Sequence, residues 1–122
     1  MGDSQLLLAS RAVRIERLTL DFLAYLELER GLSRNTLHAY QSDLAQLGAF
    51  LAARGVSPLD AGHGDLAAFL SELASGETSD GEQRNPVAAA TLQRKAACLR
   101  SFYRHLRREG LRTRYGMLAT GV

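Results

Sequence analysis

Four stretches of this chain repeat apolar residues at spacings of three and four. Glycine or proline interrupts each gap between them, and no stretch alternates apolar with polar as a strand would. These observations predict an all-α protein, a compact orthogonal four-helix bundle around one core. With 122 residues and 46% hydrophobic content, the chain can bury such a core without disulfides or metals.

Residues 1–12 lack periodicity and read as a flexible lead-in. The first helix is expected from Val13 to Arg30, where Ile15, Leu18, Phe22, Tyr25 and Leu26 follow helical spacing. Gly31 stops it in the position that favours a left-handed cap. Ser33 then opens the second helix, its hydroxyl placed to accept an early backbone N–H. That helix runs to Arg54 and has two faces. Leu37, Tyr40, Leu44, Leu47 and Leu51 form an apolar stripe, while Arg34, Asn35, His38, Gln41 and Ser42 lie opposite. The polar first turn sits at the positive end of the helix dipole, where phosphate is favoured.

Gly55 and Pro58 separate this helix from a third, expected from Gly64 or Asp65 to Ala74, with Leu66, Phe69, Leu70 and Leu73 inward. The segment Ser75 to Pro86 has no apolar residue and reads as an exposed loop, the best place for disorder inside the domain. The fourth helix should begin between Val87 and Ala90 and end at Gly110. Leu92, Ala96, Leu99, Tyr103 and Leu106 share its inner sector. Thr91, Arg94, Cys98 and His105 lie beside them with Lys95 at the boundary, and Arg100, Arg104, Arg107 and Arg108 occupy the remaining arc. Residues 111–122 lose periodicity and read as a tail.

The net charge of +2 hides a segregation. Asp60 to Glu82 holds six acids and no Lys or Arg, whereas Arg94 to Arg114 holds eight bases against Glu109 alone. Such asymmetry suits a polyanion on the basic side; a solvated arginine-rich helix face would look similar. Cys98 is the only cysteine, so neither an intrachain disulfide nor a CxxC metal site is available. It reads as a small filler beside the core. His38, His63 and His105 are far apart in sequence, and no glycine-rich phosphate loop is present, so no metal or cofactor is expected. Leu6-Leu7-Leu8 is too short for a signal-peptide core or a membrane span, and Leu6 stands where a myristoylation signal needs Ser or Thr. A soluble, cytoplasmic protein without a membrane partner is expected.

Beyond these patterns, Tyr25-Leu26, Arg30-Gly31-Leu32-Ser33, Thr36, Tyr40, Asp43-Leu44 and Phe50-Leu51 resemble the N-terminal core-binding (SAM-like) domain of tyrosine recombinases, nearest the Xer type. Thr91, Arg94, Leu99-Arg100, Phe102-Tyr103 and Glu109-Gly110 continue the likeness, which runs from about Leu18 to Leu111. The resemblance implies one half of a clamp on double-stranded DNA, acting in site-specific recombination such as chromosome dimer resolution or integration. It also implies that the catalytic arginines, lysine, histidine and nucleophilic tyrosine belong to a separate catalytic domain. On that basis residues 13–110 form the core-binding domain, and residues 111–122 form a tail or the start of a linker. The chain itself is expected to carry no catalytic residue, and Tyr115 is read as a tail aromatic.

The family sets its second and fourth helices on the major groove. The matching positions are Arg34, Asn35, Thr36, His38 and Gln41, then Thr91, Arg94 and Lys95. Arg94 is the candidate for a bidentate guanine contact, and Thr36, Lys95 and Arg34 for phosphates. Full-length relatives would assemble as a DNA-bound tetramer, and the free domain is expected to be monomeric. A helical protein-interaction module, pairing its acidic third helix with a basic fourth helix of another molecule, is the competing function.

Overall fold

The structure is a computed structural model that describes residues 2–78, 81–111 and 113–115, with side chains from Ile15 onward. Within these residues the chain forms four helices: α1 (Gly2–Arg30), α2 (Arg34–Ala53), α3 (His63–Ser75) and α4 (Ala89–Arg108). Among the described residues no helix is long and apolar enough to cross a membrane.

The starts and stops follow local chemistry. Gly31 adopts φ +62°, a value that costs any residue with a Cβ. The chain therefore turns between α1 and α2 with only three residues. The Ser33 hydroxyl accepts the Thr36 N–H at 3.2 Å, which caps α2. At the start of α3, Asp65 reaches back to accept the Gly62 N–H at 2.9 Å and also receives Arg54 Nη2 at 3.3 Å. That carboxylate lets the helix begin at His63, one residue before the earliest expected start.

Three expectations change. Helix α1 begins at Gly2 and not at Val13. Leu, Ala, Gln and Arg dominate residues 5–12, all favourable in helices, and no glycine or proline intervenes before Gly31.

The second change concerns the loop after α3, which folds back on itself. Arg84 N–H donates to the Gly76 carbonyl at 2.7 Å, Thr78 N–H to Glu82 at 3.2 Å and Val87 N–H to Leu73 at 2.9 Å. Gly76 makes this possible: at φ +78° a Cβ would stand 2.1 Å from the Arg84 carbonyl oxygen.

The third change is the tail. Thr113 is buried, Arg114 N–H donates to the Leu59 carbonyl at 3.0 Å, and Tyr115 packs against the core. Its ring lies 5.3 Å from Tyr103 and 6.3 Å from His63. A hydrophobic ring beyond the last helix buries area only if the chain returns to the bundle, and it does. The rest of the expected tail, residues 112 and 116–122, lies outside the described residues.

Phe22 and Leu26 from α1 meet Leu44, Leu47 and Leu51 from α2, Leu66 and Phe69 from α3, and Leu99, Phe102, Tyr103 and Leu106 from α4. Each such side chain contributes roughly 1.5–3 kcal/mol by leaving water. The Tyr103 hydroxyl donates to the Pro58 carbonyl at 2.6 Å, so α4 is tied to the α2–α3 connection. Burial of that phenol raises its pKa and keeps it protonated.

Candidate functional site

Helices α2 and α4 meet through a polar seam. Asp43, only 1% exposed, projects from α2 toward two cations that lie more than fifty residues away in sequence. Arg94 donates Nη2 to Asp43 Oδ1 at 2.7 Å and Nε to Oδ2 at 3.2 Å. Lys95 Nζ donates to the same Oδ1 at 2.8 Å and to Gln46 Oε1 at 2.8 Å. Arg94 and Lys95 are adjacent on α4, about 100° apart around it, so one carboxylate takes both only by sitting between them. The hydrogen bond to Asp43 holds the Arg94 proton more tightly than usual.

The surroundings are dry on the core side. Cys98 Sγ lies 3.9 Å from the Tyr40 carbonyl oxygen and is fully buried. Burial, reinforced by the Asp43 charge, pushes its thiol up to about 12. Tyr40 is raised as well, again mainly by burial. Cys98 is thus a protonated core filler, as expected from sequence.

The eight sequence-derived site residues fall into three groups. Arg34, Asn35, His38 and Gln41 are exposed along the outer side of α2. Thr36 and Thr91 are half-buried, the former bonded to the Ser33 hydroxyl at 3.0 Å. Arg94 and Lys95 are brought onto α2 by Asp43. They differ sharply in access, with side chains 40% and 10% exposed. The ammonium of Lys95, the residue read from sequence as a phosphate contact, donates to two acceptors inside the seam. Three of the four outer arginines, Arg100, Arg104 and Arg108, are exposed, while Arg107 is half-buried. Arg108 donates to the Tyr25 hydroxyl and lies over its ring, which makes it part of the α1–α4 packing.

Sequence inspection overlooked Asp43 and Gln46 as organisers of this seam. A signal existed: Asp43 sits within the stripe formed by Tyr40, Leu44 and Leu47, and no cation stands three or four residues away on α2. A carboxylate so placed must find its partner on another helix.

With this geometry in view, the likeness to known proteins is specific. The family described as phage integrase, N-terminal SAM-like domain matches residues 20–110. A tyrosine recombinase XerD of Agrobacterium fabrum (strain C58) is 41% identical over 91 residues, which covers 75% of this chain and 25% of that protein. A XerD of Rhizobium meliloti (strain 1021) is 38% identical over 92 residues, covering 75% of this chain and 27% of the relative. A XerC of Pelobacter propionicus is likewise 38% identical over 92 residues, covering 73% of this chain and 27% of the relative. The chain thus matches about a quarter of the length of these curated relatives. No solved structure matches. The matched span takes in the end of α1 from Leu20 and all of α2, α3 and α4, and the chain belongs to the phage integrase N-terminal SAM-like domain family.

Proposed function

We propose that this chain binds duplex DNA as the core-binding part of a cytoplasmic tyrosine recombinase acting in site-specific recombination. The observation that carries the proposal is the alignment itself: it runs across the bundle and places this chain on the N-terminal type of domain in proteins named tyrosine recombinases. The charge arrangement supports it. Among the described residues Arg94 keeps unengaged N–H groups at the surface, and the first turns of α2 present Arg34, Asn35, His38 and Gln41. Arg94 would read a base edge, while Arg34 and Thr36 would hold phosphates near the positive end of the α2 dipole. Strand cleavage belongs to other parts of a recombinase, so this chain alone binds without cutting. It is a monomer when free and joins further protomers on DNA.

Half-sites are first selected from random duplexes with the purified chain. Fluorescence anisotropy then compares selected with scrambled duplex at several salt concentrations. Tighter binding to the selected duplex, weakening steeply as salt rises, is the expected outcome. Absence of duplex binding, together with salt-dependent self-association, would instead favour a protein-interaction module.

A further inference from the structure

An arginine guanidinium has five N–H donors in a rigid planar fork. Asp43 takes the side-on edge of Arg94, one hydrogen from Nε and one from Nη2. The end-on edge, formed by Nη1 and the second hydrogen of Nη2, has no partner among the described residues, and the side chain is 40% exposed. That edge is the one whose spacing matches two acceptors on a base or phosphate. Asp43 is itself 1% exposed and further held by Lys95. Lys95 in turn has two acceptors at 2.8 Å, and its side chain is 10% exposed. Two cations and one carboxylate leave a net single positive charge at the seam.

We propose that Asp43 is a positioning residue that sets sequence discrimination, aiming the free edge of Arg94 at a base while withholding the charge of Lys95 from phosphates. The inference rests on the DNA-binding function proposed above. Two effects act in the same direction. A guanidinium fixed before binding loses less rotamer freedom when it docks, which favours the one duplex whose acceptors meet it. A cation neutralised inside the fold adds nothing to sequence-independent attraction, which depends on the number of phosphates neutralised. Asp43 thus raises specific binding relative to non-specific binding without touching DNA.

The test uses the whole chain with Asp43→Asn, titrated against selected and scrambled duplexes at several salt concentrations. Asparagine keeps an acceptor for Lys95 but no longer anchors Arg94 by charge. The ratio of the two affinities should fall on the order of tenfold, the scrambled duplex should be bound as well or better, and the salt slope should steepen by about one unit. Equal losses on both duplexes with an unchanged slope would mean that Asp43 only supports the fold, and would overturn the proposal. If the variant does not fold, the wild type decides by NMR. The Arg94 Nε–H should exchange slowly with water, both free and on the selected duplex, while that of Arg34 exchanges fast in the free chain. An Arg94 signal as labile as that of Arg34, or one that leaves Asp43 on binding, overturns the inference. Failure of the wild type to bind any duplex would strike the DNA-binding function itself, a distinguishable result.

Discussion

Helix α4 buries a lysine and a histidine ten residues apart, and the fold treats them oppositely. Lys95, near its N-terminal end, is 8% exposed and meets two oxygen acceptors. His105, near its C-terminal end, is 4% exposed and lies between the rings of Phe22, 5.5 Å away, and Tyr25, 5.1 Å away. Its Nδ1 has no hydrogen-bond partner among the described residues. Burial lowers the His105 pKa, so the fold holds this ring neutral. One seam therefore keeps charge by supplying a carboxylate; the other removes charge by supplying aromatic carbon. A buried charge needs a partner, whereas a buried histidine can shed its proton. Of these two buried groups, only Lys95 keeps its charge at its seam.

Removing the partner at the first seam should have the largest effect. Asp43→Ala leaves Lys95 enclosed with Gln46 as its remaining acceptor, and breaking a buried pair in this way costs roughly 3–5 kcal/mol. Arg94 can swing to solvent, so most of the loss comes from the lysine. The double change Asp43→Leu with Lys95→Met should recover most of it, because both charges leave together. Urea unfolding of the single and double variants checks this. Equal destabilisation in both would show that shape, and not charge pairing, holds α2 to α4.

These seams also mark where sequence was informative. The four helices were legible because Gly31, Ser33, Gly55 and Pro58 act locally and because Leu44, Leu47 and Leu51 fall on one stripe. The exposed side of α2 was legible for the same reason. Asp43 was not, since its partners stand more than fifty residues away and periodicity carries no information about which helix a stripe will meet. The same limit hid the burial of Lys95, placed by angle alone at the edge of the core face. Gly76 fell within the segment read as an exposed loop; its close approach to the Arg84 backbone depends on how that loop returns. Tyr115 lay beyond the last periodic stretch, so only the return of the chain at Arg114 to Leu59 reveals its packing.

A smaller effect tests how dry the α2–α4 seam is. Cys98 is fully buried with a thiol pushed up to about 12, chiefly by burial and then by the Asp43 charge. At pH 8 its thiolate fraction is on the order of a thousandfold below that of an ordinary cysteine, since only the thiolate reacts. Alkylation by iodoacetamide should therefore be suppressed by at least about that factor in the native chain relative to the chain in urea. In Asp43→Asn, losing the nearby negative charge should make the thiol more acidic and alkylation faster. Native labelling as rapid as in urea would show that water reaches the seam, and would remove the dry environment that Lys95 and Asp43 need.

The smallest effect belongs to the second seam and is read as a dependence on pH. The ionisable groups facing His105 are Glu109 and Asp21, which raise its pKa, and Arg108, which lowers it; burial outweighs them and the net shift is downward. Because the folded pKa lies below the unfolded value near 6.5, the unfolded chain takes up a proton first as pH falls. The contribution of His105 to stability is thus present above about pH 6.5 and lost as pH falls through the folded pKa. His105→Leu removes the titration while keeping an apolar side chain against Phe22 and Tyr25. At pH 7.5 its stability should stay within about 1 kcal/mol of the wild type, because losing an unpartnered buried nitrogen offsets lost ring packing. Between pH 7.5 and 5.5 the wild type should lose stability relative to the variant, measured by urea unfolding at each pH. Parallel curves for the two proteins would show that His105 is not held neutral, and the contrast between the two seams of α4 would collapse.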